Sequence, residues 1–144
     1  TSTAEIYATM LPSHPLAVFE KIDLHQLSDT DIILLDAKSC IQGQIMEEFQ
    51  RLGILPRIRS THEQIFCMLN MVKLGNFVGF LNASDPIMRQ YLTDIGLIIR
   101  PLDPPVTLAA GFIVNTRRHL PKLAEELISF TRRLETEGTA KETQ

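Results

Sequence analysis

The sequence lacks a basic stripe. Its 14 Lys and Arg residues are scattered apart from Arg117-Arg118 and Arg132-Arg133, against 17 acidic residues and a net charge of −3. A chain of this kind does not by itself form the phosphate-neutralising surface that nucleic-acid binding requires. Long apolar runs are missing too, so no segment is expected to span a bilayer. The opening TSTAEIYATMLPS has neither a basic n-region nor a long apolar core, and no secretory leader is expected in it. Cysteine is scarce: Cys40 and Cys67, without metal-ligand spacing, read as reduced thiols of a cytoplasmic protein. His14, His25, His62 and His119 form no HxxxH pair, and no CxxC occurs, so neither a metal nor a cofactor is expected. No second motif supplies a base or an orienting residue for a Cys–His nucleophile. Gly43, the one glycine of the first predicted helix, lies past its opening turn, so there is no glycine loop to cradle a phosphate. The chain does not read as an enzyme.

What it does contain is a unit that recurs three times: an apolar strand, a capping residue and an amphipathic helix. DIILLD at 31–36 leads through Ser39 into a helix, and PRIRS at 56–60 through Thr61 into a second. NFVGFLN at 76–82 leads through Asp85-Pro86 into a shorter third. Buried strands alternating with helices predict an α/β fold, a mostly parallel sheet flanked by helices. The 144 residues, 44% of them hydrophobic, suffice for one domain with a real core.

The first helix is expected over 41–53, because Ile41, Ile45, Phe49 and Leu52 make one stripe on a 3.6-residue period. Ser39 with Gln42 forms a capping box, and Gly53 stands at C′. The second helix is expected over 61–75, capped by Thr61 with Gln64 or Ser60 with Glu63. Its main apolar face is Ile65, Met68, Leu69 and Val72. Cys67, Met71 and Leu74 make a second strip, which predicts burial on two sides. Phe66 falls in the remaining sector with His62, Asn70 and Lys73, and the trio Phe66, Asn70 and Lys73 reads as a protein–protein contact. Gly79 inside the third strand predicts a close backbone approach. Residues 5–11 read as a strand, 12–29 as a connection with a helical hint at 24–27, and GLIIRPLDPP as a strand with a turn. VTLAAGFIVNT is β-type with a bend at Gly111, and a final amphipathic helix covers about 119–136.

Ser39 and Thr61 carry the main functional expectation. As helix caps each contributes about 1 kcal/mol of stability. Together, at one edge of a parallel sheet, their hydroxyls and the helix N-terminal amides would converge on a small anion, with Lys38 as a nearby cation and Asn82 and Ser84 on the rim.

The order of motifs resembles LysR-type transcriptional regulators. His14-Pro15-Leu16-Ala17 is similar to the family's HPLA turn, and IDLHQLSDTDIILLD to its approach to a buried strand. LGILPRIRST and MVKLGNFVGFLN resemble the later G-x-x-P-x-I, T and V-x-x-G-x-G-I pattern. Pro101-Leu102 and LPKLAEELISFTRRL complete the series. Two departures stand out: Phe77 replaces the second glycine of the family's G-L-G-I, and Gln26 stands in place of an Asp.

The resemblance implies a periplasmic-binding-protein-like (type 2) lobe of an effector-binding domain. Its divisions would be a crossover strand at 1–13, subdomain two at 14–111, a return strand and C-terminal helix of subdomain one at 112–136, and a disordered tail at 137–144. Carried over by position, Lys38, Ser39, Cys40, Ser60, Thr61, Leu81 and Asn82 would line the effector cleft. The implied partners are a small, anionic effector and a second copy of the regulator, in which the helix at 61–75 contributes to the contact. DNA would be met only through a winged helix-turn-helix that this sequence does not contain. A solute-binding protein serving a transporter shares the fold and remains the alternative. The C-terminal helix presents an apolar stripe (Leu120, Leu123, Ala124, Leu127, Ile128, Phe130, Thr131 and Leu134) that is expected to dock on another chain or on the retained lobe.

Overall fold

The computed structural model describes residues 2–111 and 121–141. They divide into two compact units, Ala4–Leu108 and Thr1–Thr3 with Ala109–Gln144.

The larger unit is built on a sheet. Its strands are β1 (Ser2–Met10), β2 (Asp31–Leu35), β3 (Arg57–His62), β4 (Val78–Asn82), β5 (Ile98–Pro101) and β6 (Thr107–Ala110). The order is β3-β2-β4-β1-β5, with β6 pairing β1. β2 is parallel to β3 and to β4, as the repeated unit predicts. β1 runs antiparallel to β4 and to β5. The sheet is therefore mixed: β2 to β5 point one way and β1 lies between β4 and β5 against them.

Side-chain alternation sends the helices to both faces. Ile32 and Leu34 point into one cluster with Val78, Phe80, Ile6 and Ala8, closed by Ile45 and Phe49 of α1 (Cys40–Arg51). Ile33 and Leu81 point into the other, under Met68, Leu69 and Val72 of α2 (Ile65–Gly75) and Leu92 of α3 (Pro86–Asp94). Each fully buried Leu, Ile or Phe contributes roughly 1.5–3 kcal/mol. Phe49 and Phe80 meet edge to face at 6.4 Å. Gly79 is needed where it stands, since a Cβ there would lie 2.9 Å from Val72 Cγ2.

The connection at 12–29 contains two short 3-10 turns. His14 caps the first, Pro15–Val18, by accepting the Leu16 N–H on Nδ1 at 3.1 Å. In the second, Leu24–Leu27, Gln26 closes a capping box: its Oε1 accepts the Asp23 N–H at 2.9 Å. That local bond accounts for the residue by which this chain departs from the family pattern. The other departure is absorbed similarly. Asn76 takes the left-handed conformation (φ 52°) that ends α2, and the Phe77 ring packs over Gly75 into the second cluster.

Three expectations need correction. The second helix starts at Ile65 rather than 61, because β3 continues to His62: Thr61 pairs with Leu34 and His62 with Leu35 of β2. Ladder hydrogen bonds outcompete capping for these residues, so Thr61 is a strand residue and neither proposed capping box forms. The second apolar strip of α2 is not buried: Cys67 is exposed, Leu74 is 82% exposed and only Met71 is half-buried. The α2 helix has a single sheet to pack on, so one face is covered. The tail expected at 137–144 is helical as far as Lys141, consistent with the good helix formers Ala140 and Lys141.

In the smaller unit α4 (Lys122–Lys141) displays Leu123, Leu127, Phe130 and Leu134 to solvent. The expected start of this helix at 119, its Leu120, and the strand continuing past Gly111 lie outside the described residues.

Candidate functional site

The sheet's strand order reverses direction between β2 and β4. From β2 the chain moves outward to β3 and then returns to β4 on β2's other side. The β2 loop leads to α1 on one face and the neighbouring β3 loop to α2 on the opposite face, so these two loops diverge beyond the strand ends.

The local geometry of the first loop follows from Asp36. Its N–H donates to the His62 carbonyl at 3.0 Å, tying the loop to the end of β3, and its carbonyl accepts the Ser39 N–H at 2.9 Å. Its carboxylate Oδ1 accepts the Lys38 N–H at 3.2 Å. Ser39 is thereby held at the N-cap of α1, where Oγ accepts the Ile41 N–H at 3.3 Å, as expected from the sequence. The α2 helix opens nearby at Gln64 with no side-chain cap. Its first N–H groups are left for another acceptor.

Between these two helix starts lies a shallow basin of about 490 Å³, lined by Leu35, Asp36, Lys38, Ser39, Glu63, Gln64 and Ile65. The Lys38 ammonium sits 3.6 Å from Glu63 Oε1 across it. Both side chains are largely exposed, so this pair contributes little to stability. Two carboxylates and one ammonium frame the basin, and the positive ends of two helices offset the excess of acid.

The predicted site residues separate accordingly. Lys38 and Ser39 line the basin. Cys40 is the exposed first residue of α1 and lies off the lining. Ser60 is half-buried, with Oγ 2.9 Å from His62 Nε2. Thr61 is exposed on β3 and lies off the basin lining, where it caps no helix. Leu81 is fully buried opposite Tyr7 in the sheet. Asn82 is half-buried at the end of β4 and accepts the Ser84 N–H on Oδ1 at 2.8 Å. Asp36, Glu63 and Gln64 line the basin but were not expected as site residues, Glu63 and Gln64 having been read as capping partners only. The Asp after an apolar strand, a common turn former, was the available signal for the first.

On α2, Phe66 is 54% exposed and packs edge to face with Tyr91 of α3 at 5.5 Å. Asn70 and Lys73 are exposed along the same helix. Among the described residues no helix is long and apolar enough to cross a membrane.

Comparison with known proteins agrees with this fold. A LysR family transcriptional regulator from Pseudomonas aeruginosa, HinK, superposes with a TM-score of 0.75 at 21% identity, over 92% of this chain and 46% of that one. The regulatory domain of Synechocystis CcmR, solved with 2-PG, gives 0.65 at 16% identity over 89% and 61%. The effector-binding domain of QuiR, solved with shikimate, gives 0.62 at 16% over 80% and 56%. At these identities the likeness is one of fold, and the chain spans about half the length of these structures. No curated protein matches the sequence. The family model for the LysR substrate binding domain matches residues 3–135, nearly the whole chain, which therefore belongs to the LysR substrate binding domain family.

Proposed function

We propose that this chain is the metabolite-sensing module of a cytoplasmic LysR-type regulator, without catalytic activity of its own. A small carboxylate or phosphate ester would bind at the strand-end crevice, and its binding would alter how the full regulator engages DNA. The observation that carries this reading is the basin at the carboxyl ends of β2 and β3, between the starts of α1 and α2, in a chain of this family. QuiR and CcmR, solved with shikimate and with 2-PG, support the choice of ligand class. Lys38 would supply the counter-charge, released from Glu63, and the Ser39 hydroxyl and the open α2 amides would hold oxygen atoms. Asn82 would stand on the rim, with Ser60 and Thr61 toward β3. Charge-assisted hydrogen bonds of this kind contribute roughly 1.5–3 kcal/mol each.

The test is calorimetric titration with a panel of hydroxy and phospho acids that includes shikimate and 2-PG. A panel member that binds is then compared in Ser39→Ala and Thr61→Ala. Ser39→Ala is expected to weaken binding about ten- to a hundred-fold. Loss in Thr61→Ala as well would extend the site along β3. Unchanged affinity in both would leave Ser39 as a cap alone.

We also propose that Phe66, Asn70 and Lys73 meet a second copy of the chain. Phe66→Asp is expected to shift sedimentation toward the monomer without lowering the thermal midpoint by more than a few degrees. An unaltered sedimentation profile would remove this contact.

A further inference from the structure

The charges around the basin at Ser39 are of both signs, and their arrangement narrows the class of ligand. Lys38 reaches the basin from the loop between β2 and α1, and Glu63 from the residues that lead into α2, with 3.6 Å between Nζ and Oε1. Asp36 is the third charged side chain of the lining. Its Oδ1 accepts the Lys38 N–H at 3.2 Å, which fixes a carboxylate beside the loop backbone. The Lys38 and Glu63 side chains are 84% and 73% exposed, and neither has another ion-pair partner among the described residues. A pair so open to water exchanges readily with an outside ion.

One ammonium thus stands against two carboxylates. Each helix start adds roughly half a positive charge. Ser39 caps α1, and α2 opens at Gln64 with no side-chain cap. The basin is therefore close to neutral, with its positive and negative parts side by side. A plain anion placed there gains Lys38 and the helix amides, yet it is repelled by Asp36 and Glu63. It also leaves Glu63 without the ammonium it had. A ligand that carries its own ammonium next to its carboxylate removes both penalties. Leu35 and Ile65, the apolar part of the lining, are half-buried.

From this charge complementarity we propose that the ligand is an α-amino acid with an aliphatic side chain. The proposal rests on the reading of the basin as the effector site and narrows it. The carboxylate takes Lys38 and the opening amides of α2, the ammonium takes Glu63 and Asp36, and the side chain lies against Leu35 and Ile65. An α-amino acid holds both ions on one carbon, a spacing that suits a protein pair 3.6 Å apart, and the four charges then alternate in sign.

The test follows amide shifts of the whole 144-residue chain by NMR during titration with three compounds of one carbon skeleton. These are leucine, leucic acid, in which a hydroxyl replaces the ammonium, and leucinamide, which lacks the carboxylate. Leucine is expected to shift Lys38, Ser39, Gln64 and Ile65 saturably, with each analogue about tenfold weaker or more. Glu63→Gln keeps the size of an exposed side chain and should weaken leucine by about tenfold. The same variant should bind leucic acid more tightly than the parent does, because Lys38 is then unpaired. Leucic acid as tight as leucine in the parent, or unchanged leucine affinity in Glu63→Gln, would overturn the proposal. Binding of a hydroxy or phospho acid without leucine would overturn it alone. No shift at these four residues with any of these acids would overturn the reading of the basin as well.

Discussion

At the scale of single residues, two groups tie stability to pH in separate windows. His14 is buried, and burial lowers its imidazole below the ordinary value near 6.5. Its Nδ1 must also stay unprotonated to accept the Leu16 N–H. The unfolded chain takes up a proton on this residue that the folded chain resists, so stability falls as pH drops below about 6.5. Asp31 is held below the usual carboxylate range by the Arg59 hydrogen bond, with the charges of Arg57 and Arg59 acting in the same direction. A register shift between Ile32 and Ile33 in the β2–β3 ladder leaves Arg59 without an opposed residue and lets both arginines reach one carboxylate. That contribution is present at neutral pH and is lost only in acid, as pH falls through the lowered value. His14→Asn retains a cap acceptor that does not titrate. Urea unfolding from pH 8 to pH 3 should show the variant without the loss near pH 6 but with the loss in acid. A variant that follows the parent throughout would refute the role given to His14.

At the scale of elements, capping and close packing set the boundaries. Asp85 caps α3 by accepting the Ile87 N–H at 3.0 Å, and Pro86 occupies the first helical position where its missing N–H costs least. Asp85→Ala should cost about 1 kcal/mol in urea unfolding, and Ser39→Ala about the same at α1. A larger price is expected where α2 crosses the sheet. Gly79→Ala would drive a methyl against Val72 Cγ2, 3.4 Å from Thr9 Cγ2 and 3.5 Å from Met68 Cε. Val72 is β-branched and stiff in a helix, so the backbone must shift, at about 1–3 kcal/mol. Stability equal to the parent would mean that α2 is free to move away from β4.

At the scale of the whole larger unit, the sheet carries a hydrophobic cluster on each face. Phe49 of α1 and Phe80 of β4 are both fully buried. Removal of either ring should cost about 3–5 kcal/mol. Their edge-to-face contact should appear as a coupling of about 0.5–1.5 kcal/mol in a double-mutant cycle read by chemical denaturation. Additive losses would show that each ring packs independently against the aliphatic residues. The connection at 14–22 belongs to the same core: Arg100 binds the carbonyls of Ala17 and Phe19, and Ile22 exchanges backbone bonds with Pro101 and Asp103. An irregular segment can lie against a sheet only when its carbonyls find donors in this way.

The sequence by itself determined the elements whose signals are local. The stripe of Ile41, Ile45 and Phe49 with Ser39 and Gly53 marked α1 at both ends, and Asp85-Pro86 marked the start of α3. The parallel arrangement of β2, β3 and β4 was legible because strands joined by helices must cross over in the same sense. The position of Ser39 and Lys38 at the basin was legible for the same reason, since a strand-to-helix loop places its cap at the strand's carboxyl end. The tertiary structure decided what depends on neighbours. Ser60-Thr61-His62 have the composition of a cap and also of a strand, and β2 resolved the choice by offering ladder partners as far as Leu35. Cys67 and Leu74 have the pattern of a buried strip, yet α2 has only one surface to cover. The place of β1 between β4 and β5, and the bond from Arg89 to the Tyr7 hydroxyl, rest on pairings of residues far apart in sequence. Local pattern carries no information about which distant strand or ring will satisfy a given group, and only the folded chain supplies it.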